Sequence, residues 1–218
     1  MRSRSEILHA LVQPGIIAVV RVDEPSQIPA LSEALLAGGV LAIEITLTVP
    51  NALESIRAAS RRFGQRALIG AGTVTTADAC RAAIQAGAEF VVSPITRPEI
   101  VQAAHALERP VMLGAYTPTE AQTAHEAGAD FIKIFPADKL GPGYIKVIRG
   151  PLPHLKIVPT GGVDLETAGE FLKAGCVALG VGGSLISAAI LKTNNWAELT
   201  RLARCYVETV EKFRAGRS

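Results

Sequence analysis

One lysine of the chain lies inside the apolar segment Phe131-Ile132-Lys133-Ile134-Phe135. A protonated lysine in such surroundings carries a large desolvation penalty, which favours the neutral amine. The neutral amine is the form that attacks carbonyl carbons and makes Schiff bases. The structural alternative is a lysine on a half-exposed strand whose charged end reaches water. The rest of the chain favours chemistry, because it adds a carboxyl group and glycine-rich loops at matching places.

Strand-like apolar segments recur along the chain at intervals of about 20 to 26 residues, the length of one strand plus one helix. They cover residues 16–20, 41–45, 67–70, 89–92, 110–113, 130–135, 155–158 and 177–181. Strands that alternate with helices form a parallel sheet, and eight such units close most simply into an α/β fold of the (β/α)8 TIM-barrel type. A doubly wound open sheet is the alternative, but it does not account for the even spacing.

Four of the segments follow a short Ala-Gly motif. These motifs are Ala37-Gly38-Gly39, Ala86-Gly87-Ala88, Ala127-Gly128-Ala129 and Ala174-Gly175-Cys176. A glycine at such a place predicts the left-handed end of a helix. The run Thr117-Pro118-Thr119-Glu120 predicts a helix start with a capping box. No linker divides residues 1–218, so we expect a single domain, with a short N-terminal helix before the barrel and a C-terminal helix around residues 196–213.

Period-two alternation predicts which strand residues point into the barrel. In residues 42–47 the large apolar side chains occupy the odd positions and face the helices, so Glu44 points inward. The same alternation directs Lys133 inward, and also Arg21 near the end of the first strand. The structural alternative for Glu44 is a salt bridge to an interior arginine, because an unpaired buried carboxylate is costly. Three ionisable groups on three separate strands predict a functional site.

Several loops after the predicted strands are rich in glycine. Gly70-Ala71-Gly72-Thr73 lets a ligand approach the backbone and offers the Thr73 hydroxyl, although such a motif also serves plain turns. Ser93-Pro94 either ends a strand or contacts substrate. Pro159-Thr160-Gly161-Gly162 and Gly182-Gly183-Ser184 follow the seventh and eighth strands, where barrels commonly bind phosphate. These last two loops predict a phosphorylated ligand.

Composition excludes several other classes of protein. With 49% hydrophobic and 19% charged residues, the chain is globular rather than disordered, and a net charge of +2 without a basic stripe argues against nucleic acid as a partner. Neither a signal peptide nor a membrane-spanning stretch is expected. Three scattered cysteines predict reduced thiols in the cytoplasm, and four scattered histidines without ligand spacing argue against a metal site.

At these motifs the sequence resembles the 2-keto-3-deoxy-6-phosphogluconate (KDPG) and 4-hydroxy-2-oxoglutarate (KHG) aldolase family, which includes phosphogalactonate aldolases. The resemblance covers about residues 16–186. It is carried by Ile43-Glu44-Ile45-Thr46, Gly70-Ala71-Gly72-Thr73-Val74, Ser93-Pro94, Ile132-Lys133-Ile134-Phe135-Pro136, Pro159-Thr160-Gly161-Gly162 and Gly182-Gly183-Ser184. It implies a homotrimeric class I aldolase of the Entner–Doudoroff pathway, a carbon–carbon lyase that needs neither metal nor cofactor.

The resemblance also implies roles for single residues. Lys133 would form the Schiff base and Glu44 would shuttle protons. Substrate would be contacted by Thr73 at the pyruvyl carboxylate, by Pro94 and Phe135 at the carbon chain, by Thr160 near C4, and by Gly161, Gly162, Gly183 and Ser184 at the phosphate. The implied reaction cleaves 2-keto-3-deoxy-6-phosphogluconate to pyruvate and glyceraldehyde 3-phosphate.

The sequence departs from the family pattern at two places. Thr48 stands where some members carry the arginine of a Glu-x-Thr-x-Arg motif, so Arg21 is the candidate contact for the substrate carboxylate. The loop after the fifth strand reads Leu113-Gly114-Ala115-Tyr116 where a Pro-Gly pair is usual. This second departure changes one wall of the expected pocket.

Other functions remain open at this point. Within the family, the alternatives are a 2-keto-3-deoxy-6-phosphogalactonate aldolase and a 4-hydroxy-2-oxoglutarate aldolase. Outside it, an isomerase or a transferase that resembles thiamine-phosphate synthase would share the phosphate loops but need no nucleophilic lysine. A phosphate-ligand binding or scaffold protein is a further alternative, because fold alone does not give function.

Overall fold

The computed structural model describes residues 2–216 of the 218-residue chain. Its strands are β1 Ile16–Val20, β2 Ala42–Thr46, β3 Leu68–Gly72, β4 Phe90–Val92, β5 Val111–Ala115, β6 Phe131–Ile134, β7 Ile157–Pro159 and β8 Leu179–Val181. All pairings are parallel, in the order β7-β6-β5-β4-β3-β2-β1-β8. A parallel bridge between Thr160 and Gly180 closes the remaining gap. The prediction of a (β/α)8 barrel is confirmed, and the open doubly wound sheet is excluded.

Helices connect successive strands and surround the barrel. Within residues 2–216 the α-helices are α1 Arg4–Val12, α2 Ile28–Ala37, α3 Ala52–Phe63, α4 Ala77–Gln85, α5 Pro98–His105, α6 Pro118–Glu126, α7 Gly141–Arg149, α8 Ala168–Lys173, α9 Ala188–Thr193 and α10 Trp196–Ala215. Two short 3-10 helices, Pro25–Gln27 and Gly64–Arg66, precede α2 and follow α3. Among the described residues, no helix combines the length and apolar character needed to cross a membrane. Both α1 and α10 were predicted from the sequence, and α10 packs against α2 and α8.

The predicted helix boundaries are present at the glycine motifs. Gly39, Gly87, Gly128 and Gly175 all have left-handed backbones, with φ between 89° and 110°. At the start of α6, Thr117 and Glu120 form the capping box, and Pro118 occupies the first turn. These short signals fix where each helix stops and where the chain enters the barrel.

The amino-terminal end of the barrel is filled and then covered by α1. Its buried interior consists of Ile17, Ala42, Leu68, Phe90, Val92, Met112, Phe131, Val158 and Ala178, and Ile7 and Leu11 of α1 belong to the same cluster. Salt bridges hold α1 in place, from Arg2 to Glu89 at 2.7 Å and from Arg4 to Asp130 at 2.5 Å. The barrel therefore has a closed floor, and ligands can enter only at the carboxyl end of the strands.

Above this floor the interior side chains become small. The strand register aligns Val19 with Glu44, Glu44 with Gly70, Gly114 with Lys133, and Thr160 with Gly180. Glycine at position 70 makes room for the Phe90 ring, and glycine at position 114 makes room for the Pro94 backbone. The larger neighbours Ile43, Ile45, Ile132 and Ile134 pack instead in the layer between the strands and the helices. The predicted inward and outward alternation is confirmed in β2 and β6.

Candidate active site

Lys133 and Glu44 meet inside the barrel. Lys133 lies on β6 and Glu44 on β2, and their side chains are 6% and 3% exposed, with 4.0 Å between Lys133 Nζ and Glu44 Oε1. The amine also lies 4.9 Å from the centre of the Phe135 ring. A buried amine with a carboxyl group at this distance can attack a carbonyl carbon while the carboxyl group moves protons.

The Glu44 carboxyl is short of partners. Its Oε1 atom is buried and has no hydrogen-bond partner. Burial raises the pKa of Glu44 above its usual range, against the opposing effect of the Lys133 and Arg21 cations. A carboxyl group with a raised pKa can give and take protons closer to neutral pH, as an acid/base catalyst requires.

The raised pKa of Glu44 predicts a pH-dependent gain in stability for Glu44→Gln. The folded protein holds the Glu44 proton more tightly than the unfolded chain does, so folding stability falls as the pH rises from the ordinary carboxyl pKa through the raised one. The glutamine variant does not lose folding stability in this way as the pH rises. In thermal unfolding, we expect the difference in melting temperature, variant minus wild type, to be more positive at pH 8 than at pH 4.

Glu33→Gln is the matched control for this measurement, with the opposite sign. The exposed Glu33 carboxyl accepts hydrogen bonds from Arg66, which lower its pKa. The contribution of the Glu33 carboxylate to folding stability is therefore present above the ordinary carboxyl pKa and is lost as the pH falls. Equal pH trends for the two variants would contradict the assigned environment of Glu44.

The loops after β7 and β8 form a cleft of about 480 Å³. The predicted residues Arg21, Phe135, Thr160, Gly161, Gly162, Gly183 and Ser184 all line it. The structure thus brings the two glycine loops together with one arginine at the mouth of the barrel. Glycine backbones expose N–H groups that can surround a phosphate. Gly161 and Gly162 have left-handed backbones, with φ of 86° and 71°, which other residues rarely adopt.

The side chain of Ser184 is already engaged within the protein. Its hydroxyl donates a hydrogen bond to the Val163 carbonyl, so it joins the loop after β8 to the loop after β7. Asp164 lines the same cleft and was missed in the sequence, although it follows the Gly161-Gly162-Val163 run directly. Its carboxylate accepts hydrogen bonds from the backbone of Glu166 and Thr167, which lower its pKa.

Thr73 follows β3 with an unusual backbone. Its φ is 56°, in the left-handed region that a β-branched residue rarely occupies. Such strain persists only where the surrounding structure imposes it, and it concentrates at ligand sites. This supports a functional interpretation of Thr73. Gly70, Ala71 and Gly72 form the end of β3 rather than the predicted loop, and the strain at Thr73 could not be predicted from the residues alone.

Pro94 lies in a second cleft of about 380 Å³ that shares Phe135 with the first. Gly114 and Ala115 belong to the end of β5 rather than to the predicted loop, and together with Tyr116 they form part of its lining. Gly114 packs so closely against the Pro94 backbone that a side chain there would overlap with it. The wall beside Pro94 is thus formed in part by the segment in which the sequence departs from the family pattern.

Arg21 and Thr48 show how the first departure is accommodated. Arg21 is exposed at the mouth, beside the glycine loops, and its charge acts on Glu44. The Thr48 hydroxyl hydrogen-bonds to the Thr46 hydroxyl at 2.9 Å, and Thr46 donates to the Val20 carbonyl. Thr46 thus ties β2 to the end of β1, Thr48 bonds to Thr46, and Arg21 supplies a cation at this side of the mouth.

Other reactive groups are set apart from this centre. Burial raises the pKa of the Cys80 and Cys176 thiols, to about 11 and about 12. These two thiols are therefore poor nucleophiles. Among residues 2–216, no group of three or more histidine, cysteine, aspartate or glutamate side chains is arranged to hold a metal ion.

Comparison with known proteins finds chains that are similar to this one over most of its length. The family model for KDPG and KHG aldolases matches residues 7–202. The 2-dehydro-3-deoxy-phosphogluconate aldolase of Pseudomonas aeruginosa is 35% identical over 91% of this chain and 89% of its own. The 2-dehydro-3-deoxy-6-phosphogalactonate aldolase of Escherichia coli is 34% identical over 90% of this chain and 96% of its own.

A solved structure is similar to the same extent. The KDPG aldolase of Legionella pneumophila, with pyruvate captured as a covalent carbinolamine, superimposes with a TM-score of 0.84. It is 30% identical, and the alignment covers 91% of this chain and 97% of that one.

Proposed function

The chain belongs to the KDPG and KHG aldolase family, and from this membership we propose that it is a Schiff-base aldolase that cleaves 2-dehydro-3-deoxy-6-phosphogluconate to pyruvate and glyceraldehyde 3-phosphate. The observation that carries the proposal is the buried pair of Lys133 and Glu44, 4.0 Å apart on the inner face of the barrel. An isomerase or a binding protein has no need for a buried amine beside a buried carboxyl group.

Lys133 is the proposed nucleophile. Its neutral amine attacks the C2 ketone, and loss of water from the carbinolamine gives an iminium that draws electrons from the neighbouring carbons. Glu44, directly or through a water, takes the proton of the C4 hydroxyl. The C3–C4 bond then breaks, its electron pair passes into the iminium, and glyceraldehyde 3-phosphate leaves. The remaining enamine takes a proton at C3 from the same carboxyl group, and water releases pyruvate and Lys133.

The other predicted residues are proposed to hold the substrate. Thr73 and Arg21 contact the pyruvyl carboxylate, and Pro94 and Phe135 pack against the carbon chain. The glycine loops bind the phosphate through Gly161, Gly162, Gly183 and Ser184. These four residues line one cleft together with Arg21, which supports this assignment, because backbone N–H groups of the loops and one cation can then supply the donors.

Borohydride trapping tests the proposal directly. Incubation with pyruvate and sodium borohydride should reduce the iminium to a stable secondary amine, detected by mass spectrometry as a pyruvyl adduct on Lys133. A phosphate-binding isomerase, a transferase or a scaffold protein would give no adduct. Absence of the adduct, or its presence on another lysine, would refute the mechanism.

Substrate preference is the finer proposal. The family includes aldolases for the gluconate and for the galactonate epimer of the substrate, which differ at C4. The resemblance implies that a threonine at position 160 accompanies preference for the gluconate epimer. Thr160 is buried at the barrel mouth, and its hydroxyl occupies the space beside Gly180. We expect kcat/KM to be highest for 2-keto-3-deoxy-6-phosphogluconate, lower for the phosphogalactonate epimer and lower still for 4-hydroxy-2-oxoglutarate.

Thr160→Val removes the hydroxyl without changing the shape of the side chain much. It should reduce the preference for the gluconate epimer by about tenfold, the value of one hydrogen bond. A steady-state comparison of the three substrates with both enzymes measures the effect. Preference for an unphosphorylated substrate would show that the glycine loops do not bind phosphate.

The proposed setting is the cytoplasm and the proposed assembly is a homotrimer. Cys80, Cys176 and Cys205 are free in the structure, which accords with a reducing compartment. The trimer rests on the family resemblance alone, and sedimentation equilibrium would test it.

A further inference from the structure

Gly72 ends β3 and faces the Glu44 carboxyl group. A Cβ atom built on Gly72 would overlap with Glu44 Oε1 and lie 2.6 Å from Cδ and 2.7 Å from Cγ. Real Cβ atoms essentially never lie closer than 3.0 Å to such neighbouring atoms. The space that the Glu44 carboxyl occupies thus exists only because residue 72 has no side chain.

We propose that Gly72 is a positioning residue, whose missing side chain holds open the space from which the Glu44 carboxyl reaches the Lys133 amine. The inference rests on the proposed function, because it concerns the proton shuttle of that reaction. Gly72 touches no substrate in this proposal and acts only through Glu44.

The neighbouring interior glycines have a different role. A Cβ atom on Gly70 would enter the Phe90 ring, and one on Gly114 would enter the backbone of Pro94. A ring packed in the barrel floor and a backbone segment cannot move aside cheaply, so these two glycines are required for packing. These two glycines let neighbouring parts of the barrel pack closely together.

At Gly72 the obstructing atoms belong to a side chain that can change its rotamer, and not to a backbone or a packed ring. To make room, Glu44 must move its Cγ together with its carboxyl group and give up the 4.0 Å approach to Lys133 Nζ, but Oε1 has no hydrogen bond to lose. The φ of Gly72 lies outside the left-handed region, so alanine fits the backbone there. A methyl group at position 72 should therefore leave the fold intact and displace the carboxyl group.

Displacement of the carboxyl group should separate two steps of the reaction. Imine formation depends on Lys133, which the methyl group does not touch, whereas proton transfer depends on the carboxyl position to within about 1 Å. We therefore expect Gly72→Ala to form the pyruvyl imine at close to the wild-type level and to exchange the methyl protons of pyruvate about a hundredfold more slowly.

The experiment compares wild type, Gly72→Ala and a control, Gly169→Ala. Gly169 lies on α8 with open space around it, so the control measures a glycine-to-alanine change alone. Borohydride trapping measures the imine, NMR in deuterium oxide measures proton exchange, and thermal unfolding measures stability. The inference fails if Gly72→Ala exchanges protons at the wild-type rate, or loses trapping and exchange in equal proportion.

A double-mutant cycle tests whether Gly72 acts through Glu44. If it does, Gly72→Ala combined with Glu44→Gln should be no slower in exchange than Glu44→Gln alone. Independent, multiplying losses would overturn the inference. Should Gly72→Ala unfold, adding Glu44→Ala must restore the melting temperature by removing the overlap, and failure to restore it also overturns the inference.

These outcomes separate the inference from the proposed function. Wild-type protein that forms no pyruvyl adduct refutes the aldolase mechanism, whatever Gly72 does. Wild-type protein that forms the adduct, together with a Gly72→Ala variant of unchanged exchange, refutes only the positioning role.

Discussion

Lys133→Ala should abolish aldol cleavage, with turnover reduced by about 10⁴-fold or more, because the substitution removes the amine that forms the imine. The fold should survive, since the substitution removes a cation that is difficult to bury and leaves a space next to an already open cleft. A coupled assay for pyruvate measures cleavage, and circular dichroism with thermal unfolding verifies the fold.

Lys156→Ala is the matched control. Lys156 also stands beside the sheet, just before β7, but it is exposed and lines a cleft near the amino-terminal floor. Its removal should leave turnover unchanged. Activity of Lys133→Ala within tenfold of wild type would refute the Schiff-base mechanism.

Glu44→Gln should reduce turnover by about 10² to 10⁴-fold, the usual contribution of a general acid/base. Glutamine keeps the size and polarity of the side chain but cannot exchange protons. Borohydride trapping of the imine should survive, whereas exchange of pyruvate methyl protons with solvent should fall with turnover. Because burial raises the pKa of Glu44, the acidic limb of the wild-type pH profile should lie above the usual glutamate range.

The matched control for this variant is again Glu33→Gln, which removes a carboxylate from the surface pair with Arg66. It should leave turnover and the pH profile unchanged. Solvent exchange into pyruvate at the wild-type rate in Glu44→Gln would show that another group carries the proton.

The fold and the two central residues could be predicted because both depend on regular patterns along the sequence. The even spacing of strands and helices indicates a barrel, and the glycines after the helices mark where the strands begin. Period-two alternation was enough to direct Glu44 and Lys133 inward. The orientations of the side chains and the ends of the helices require only the residues of one strand or one turn, and the barrel requires the spacing of such segments along the chain.

Relations across the barrel could not be predicted in this way. The overlap between Gly72 and Glu44 depends on the tilt and stagger of two neighbouring strands. The hydrogen bond between Thr46 and Thr48, and the place of Asp164 beside the glycine loops, depend on how the chain leaves each strand. The strained backbone of Thr73 results from its surroundings rather than from its own preference, since threonine disfavours a positive φ.

The pairing of β1 with β8 determines when the barrel can close during synthesis. Ile16 lies beside Leu179 in this pair, so the first strand made must wait for the last one before both of its edges are hydrogen-bonded. A nascent chain leaves the ribosome from its amino terminus. Until β8 emerges, the growing sheet has unpaired edges at β1 and β7, the kind of surface that recruits other chains. The period of greatest risk for aggregation therefore ends only when β8 (Leu179–Val181) becomes available to close the ring.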